Sequence, residues 1–211
     1  MKSVLAILAL ASVVLLCGCA GTSRSRALDD PAVPGRTLAE QVCANCHGQR
    51  GLAASENFPN LAAQQPDYIE GQLRSLRDKH RRDPAGFVYM WGIARNLSDA
   101  QIAQLAAYYA GQAAPPAAPP GLAASDTGRR LFSEGLASRG VPACAGCHGE
   151  KGEGNGGIPR LAHQHRAYLL RQLAVLRRSP DDRPLGALMN SVAHQLSDDD
   201  MRALADYIAS M

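Results

Sequence analysis

The chain has 211 residues, is 46% hydrophobic but only 5% aromatic, and carries a formal net charge of +3. So small a positive charge leaves no electrostatic footprint for nucleic acid and excludes that class of partner. Small domains this poor in aromatic bulk need some further staple, and the six cysteines are the first place to look.

Met1-Lys2-Ser3, an apolar run from Val4 to Leu16 and then Cys17-Gly18-Cys19-Ala20 open the chain. A basic start, a short apolar core and small residues after it describe a secretory signal over residues 1–19, too short for a comfortable membrane span. Leu16-Cys17-Gly18-Cys19 also resembles a bacterial lipobox, which implies that Cys19 is the lipidated first residue of the mature chain; cleavage after Ala20 is the alternative. Either way the expected location is the periplasm, soluble or lipid-anchored at a membrane surface. Residues 20–34 are expected to be a flexible linker.

A short helix through Leu38 and Val42 then leads into Cys43-Ala44-Asn45-Cys46-His47. In C-x-x-C-H two thiols can add across the vinyl groups of a haem while the adjacent imidazole reaches the iron. Half a zinc site and a redox dithiol are the alternatives; the first needs ligands pooled from elsewhere, the second a βαβ pattern that does not flank the motif. The motif recurs as Cys144-Ala145-Gly146-Cys147-His148, inside a repeat that pairs Pro59 with Pro159, Leu61 with Leu161, Tyr68 with Tyr168, Gln72 with Gln172, Met90 with Met189 and Tyr108 with Tyr207. A period of roughly 100 residues occurring twice indicates duplicated domains rather than a solenoid. They are assigned to residues 35–112 and 122–211, with a Pro/Ala-rich spacer at 113–121.

Downstream of each motif, apolar residues at helical spacing (Ile69, Leu73, Leu76; Leu169, Leu173, Leu176) predict a middle helix, the first starting at about Asp67. Met90 and Met189 are placed in a loop before the last helix. That helix opens at a capping box, Ser98 with Gln101 and Ser197 with Asp200, and buries Ile102, Leu105 and Tyr109 or Met201, Leu204 and Ile208. The segment from Glu134 to Val141 has no counterpart in the first half and is expected to be a surface loop. The fold class is therefore all-α, each domain a small helical bundle around a prosthetic group. Cys17 and Cys19 belong to export and the other four cysteines to the two motifs, so covalent haem takes the place of disulfides as the staple.

Helix, C-x-x-C-H, Pro-x-Leu, central helix, methionine and terminal helix together resemble class I cytochrome c, and two in tandem, with Asn57-Phe58-Pro59-Asn60-Leu61-Ala62 and Gly156-Gly157-Ile158-Pro159-Arg160-Leu161-Ala162, resemble the dihaem cytochrome c4 family. The resemblance implies two covalently bound haem c groups on Cys43, Cys46, His47 and on Cys144, Cys147, His148, with Met90 and Met189 as distal iron ligands. It implies that Pro59 and Pro159 offer carbonyls to the histidines. With His and Met filling both axial positions, iron can only change oxidation state, so the expected role is electron transfer without catalysis. Donors would be a quinol-oxidising complex or a dehydrogenase, and the acceptor a terminal oxidase; a permanent haem subunit of such a complex and a dihaem peroxidase-like enzyme are the alternatives. His80, His163, His165 and His194 are expected to be solvated surface residues, Tyr68, Tyr168, Tyr108 and Tyr207 to pack in the core, and the basic runs Arg74–Arg95 and Arg160–Arg183 to form solvated faces that also steer an acidic partner.

Overall fold

A computed structural model describes residues 26–81, 83–116, 126–178 and 186–211. The export segment with Cys19 and most of the 113–121 spacer lie outside these. The first domain starts with α1 (Gly35–Leu38), continues through one wide π turn (Ala39–Cys43) into α2 (Ala44–His47), and then has α3 (Pro66–Arg77), a second wide turn (Gly86–Met90), α4 (Trp91–Ala94) and α5 (Asp99–Ala110). The second has α6 (Asp126–Glu134), a single 3-10 turn (Ala137–Arg139), α7 (Ala145–His148), α8 (Arg166–Arg178), α9 (Gly186–His194) and α10 (Asp198–Ser210). Among the described residues the only β pairing is two isolated antiparallel bridges, Leu136 with Val141 and Asn155 with Ile158.

Each domain closes by packing its last helix on its first and middle ones: α5 on α1 and α3, α10 on α6 and α8. The first core gathers Leu38, Ile69, Leu76, Leu97, Ile102, Leu105 and Tyr109; the second gathers Leu131, Phe132, Leu169, Leu196, Met201, Leu204 and Ile208. Both capping boxes form: Ser98 Oγ accepts from Gln101 N at 3.2 Å while Gln101 Oε1 accepts from Ser98 N at 3.0 Å, and Ser197 with Asp200 does the same at 3.2 and 2.8 Å. Gln101 also donates to the carbonyls of Asp30 and Val33, docking the strip ahead of α1 with Val33 buried.

The segment from Glu134 to Val141 lies largely at the surface, as expected, but it is a closed turn. Leu136 N donates to Val141 O at 2.8 Å and Val141 N returns to Leu136 O at 3.1 Å. Val141 is buried in the second core and anchors the excursion. In the second domain the first and last helices pack tightly at Gly128, where an added Cβ would sit 2.0 Å from the carbonyl oxygen of Ala203.

The two domains meet along a seam with approximate twofold symmetry. Gln164 donates to Asn60 O at 2.9 Å and accepts from Asn60 N at 2.8 Å; Gln64 donates to Arg160 O at 3.0 Å and accepts from Arg160 N at 2.6 Å. Outside this pair, Gln65 Nε2 donates to Glu153 O at 2.8 Å and His165 Nε2 lies 3.0 Å from Ala53 O, again matching positions of the two repeats.

Candidate functional site

Each C-x-x-C-H motif ends a short helix at a glycine in left-handed backbone. Gly48 has φ 75°, and a Cβ there would meet Leu52 O at 2.0 Å; Gly149 follows with φ 84°. The turn stops the helix one residue after the histidine and swings the chain towards the Pro-x-Leu segment. His47 Nδ1 lies 3.0 Å from Pro59 O, and His148 Nδ1 lies 2.9 Å from Pro159 O. A carbonyl can only accept, so Nδ1 carries the proton and Nε2 is the nitrogen left for a metal.

Both imidazoles are buried, at 7% and 6% exposure. Burial holds both below the ordinary histidine range, against the pull of the proline carbonyls, and for His47 the Arg81 charge adds to the lowering. Neutral imidazole is the form that ligates iron. Cys43 and Cys144 are half-buried, their thiols pushed up to about 11 by burial, whereas Cys46 and Cys147 are exposed. None of these four pairs in a disulfide. One thiol at the N-cap of a short helix, a second within it and an oriented imidazole at its end fit a covalently attached haem. Among the described residues no three His, Cys, Asp or Glu side chains converge as a metal cluster, which removes the pooled zinc site.

The methionines do not sit in loops. Met90 ends the wide turn Gly86–Met90 and Met189 lies within α9, both half-buried, with Met90 packed against the first core. Asp83 explains the helical start of the first segment: its Oδ1 accepts from Gly86 N at 3.0 Å and its carbonyl accepts from Phe87 N at 2.8 Å. Met201, by contrast, is buried on α10 as core.

His163 and His165 also depart from the surface expectation. His163 is half-buried at φ 60°, its carbonyl accepting from Asn60 Nδ2 at 3.1 Å, and His165 reaches Ala53 across the seam. His80 and His194 are exposed. Tyr108 donates to Gln49 O at 2.8 Å, and Tyr207 packs on Phe132.

The basic runs divide. Arg74 and Arg77 pair with Asp99, Arg177 pairs with Asp198, and Lys79 and Arg95 lie over the Trp91 ring at 4.4 and 5.4 Å. Arg81 is instead buried at the seam, bound to Asp83, Gln72 and Gln172. Burial opposes its charge, and the Asp83 carboxylate in contact with it works the other way, so the guanidinium stays protonated. Arg81 thus leaves the solvated basic face to which the run Arg74–Arg95 assigned it, while Gln64 and Gln164 carry no local motif that marks them. The register that pairs Pro59 with Pro159 also pairs Gln64 with Gln164, and that was the available signal.

The cytochrome c family profile matches residues 32–111 and 125–211. Cytochrome c4 of Pseudomonas aeruginosa is 36% identical over 174 residues, which is 81% of this chain and 84% of that protein. The thiosulfate dehydrogenase electron acceptor of Stutzerimonas stutzeri is 35% identical over 181 residues, 84% of this chain and 82% of that one. The solved cytochrome c4 of Acidithiobacillus ferrooxidans superposes with a TM-score of 0.74 at 35% identity, covering 80% of this chain and 98% of that chain. The chain is thus a dihaem electron carrier rather than an enzyme, with two covalently bound haem c groups. Two motif-bearing helical domains joined along a hydrogen-bonded seam belong to the cytochrome c family, and within it to the cytochrome c4 type.

Proposed function

We propose that Cys43 and Cys46 hold one haem and Cys144 and Cys147 the other through thioether bonds, with His47 and His148 as proximal and Met90 and Met189 as distal ligands. Bound haem supplies a single-electron couple. The protein's part is to fix both axial positions, so that nothing but an electron is exchanged and reorganisation stays small. The observation carrying this reading is the same imidazole-to-proline-carbonyl bond in both domains, at 3.0 and 2.9 Å, which orients each ring and sets its tautomer.

The protein works in the periplasm, taking electrons from a quinol-oxidising complex or a dehydrogenase and passing them to a terminal oxidase. Similarity to a thiosulfate dehydrogenase electron acceptor supports a dehydrogenase as donor. No described helix is long and apolar enough to cross a membrane, and acylation of Cys19 would supply the membrane attachment. Lys79 and Arg95 around Trp91, on the segment beside Met90, favour an acidic partner surface through faster encounter at low salt.

Intact mass together with optical and paramagnetic-resonance spectra of the ferric protein tests the assignment. Two added haems and the charge-transfer band of thioether-ligated iron are expected, and Met90→Ala should remove that band from one haem only. An unchanged spectrum in Met90→Ala would overturn the distal assignment in the first domain.

A further inference from the structure

Each proximal histidine is tied to the opposite domain through a single peptide group. His47 Nδ1 donates to Pro59 O at 3.0 Å, and the N–H of that same peptide, carried by Asn60, donates to Gln164 Oε1 at 2.8 Å. The second half repeats the arrangement: His148 Nδ1 donates to Pro159 O at 2.9 Å and Arg160 N donates to Gln64 Oε1 at 2.6 Å. Each glutamine is locked by its return bond, Gln164 Nε2 to Asn60 O at 2.9 Å and Gln64 Nε2 to Arg160 O at 3.0 Å. Gln64, Gln164 and Asn60 are buried, at 6%, 7% and 8% exposure, so water competes little for these groups.

Hydrogen bonds in series polarise one another, most strongly where the local dielectric is low. When Gln164 accepts from the peptide N–H, negative charge builds on Pro59 O and its hold on the His47 proton tightens. The imidazole gains electron density at Nε2, and a more basic axial ligand favours ferric over ferrous iron. The Nδ1 proton stays on the ring throughout: reduction adds one electron at iron and moves no proton.

We propose that Gln164 lowers the reduction potential of the haem held by His47, and Gln64 that of the haem held by His148, so that each domain tunes the other's haem. This rests on the proximal assignments made above. Gln164 and Gln64 are positioning residues, acting through one peptide group and never touching the iron ligand.

The test is spectroelectrochemical titration of the full-length dihaem protein, with each potential assigned to its domain by the haem-methyl resonances. Gln164→Leu should raise the potential of the first-domain haem and leave the second unmoved; Gln64→Leu should do the reverse. Gln164→Glu keeps an acceptor and adds negative charge, so the same haem should shift downwards. It also keeps the test alive if the leucine variant fails to fold. Gln65→Ala, which removes the bond to Glu153 O but no relay bond, should move neither potential. A shift confined to the mutated domain's own haem, equal shifts of both haems, or no shift would overturn the relay. Loss of two-haem mass or of the methionine band in the unmutated protein would instead overturn the ligand assignment on which it rests.

Discussion

Arg81 and Asp83 form an ion pair almost sealed from solvent, Arg81 Nε lying 2.6 Å from Asp83 Oδ2 with side chains 10% and 2% exposed. The guanidinium extends to Gln72 Oε1 at 3.0 Å and to Gln172 Oε1 at 3.3 Å, equivalent residues of the two repeats. The other carboxylate oxygen caps the turn that carries Met90. One pair thus ties the seam to the methionine segment.

Asp83→Ala strands the buried guanidinium and uncaps that turn. Removing one partner of a buried pair costs about 3–5 kcal/mol, so a marked fall in the denaturant midpoint is expected. The methionine-linked absorbance of the first-domain haem should weaken before the second's does, measured in the same optical titration. Asp83→Asn, which keeps an acceptor for Gly86 N, should retain more of that absorbance than the alanine variant.

Met90, the proposed distal ligand, and Met201, a core residue, offer a way to separate ligation from packing. Met201 is 3% exposed in the second core, and Met201→Ala should cost about 2–5 kcal/mol in chemical denaturation while leaving the ferric spectrum unchanged. Met90→Ala should reverse that pattern, with a large spectral change and a smaller loss of stability.

Gly128→Ala would press a methyl group into Ala203 O and Tyr207 Cβ, at 2.0 and 2.8 Å. Neither backbone nor a Cβ can swing aside, so α6 must move off α10. Overpacking of this kind costs about 1–3 kcal/mol, measured as a lower Tm for the second domain.

Acid should loosen the second domain's terminal helix first. Burial works to raise the Asp200 carboxyl, but bonds from Ser197 and Arg139 outweigh it and hold the group below its usual range. A depressed carboxylate stabilises the fold above its unfolded pKa of about 3.9, and that contribution disappears as pH falls through the folded value. Gln101 holds the matching place in α5 and does not titrate. Unfolding followed from pH 6 down to about 2 should show α10 weakening before α5, and Asp200→Asn should abolish the difference.

What could be read from residues alone follows from the range of the interactions involved. Ser98, Gln101, Ser197 and Asp200 announce helix starts because a capping box is complete within four residues. Ile69, Leu73 and Leu76 announce a buried face because helical period is local. The C-x-x-C-H histidines were legible for the same reason. Met90 and Met189 stand out in the sequence by their matching places in the repeat, but their helical setting does not: Asp83, which caps the Met90 segment, works through geometry no propensity encodes. His163, His165, Gln64 and Gln164 derive their roles from partners in the other domain, about 100 residues away, and no local pattern reports such a partner. Arg81 looked like one more solvated charge because nothing in its neighbours' identities shows Gln172 arriving from the far repeat.

The approximate twofold relation of the Gln64 and Gln164 contacts means that each half carries both faces of a self-complementary patch, the mark of an isologous homodimer. Fusing the halves turns association between separate molecules into a tethered event governed by local concentration. Dilution therefore cannot separate the halves, and mutations free to accumulate on one side alone, such as arginine at 160 where the first half has asparagine at 60, make two once-equal partners chemically distinct.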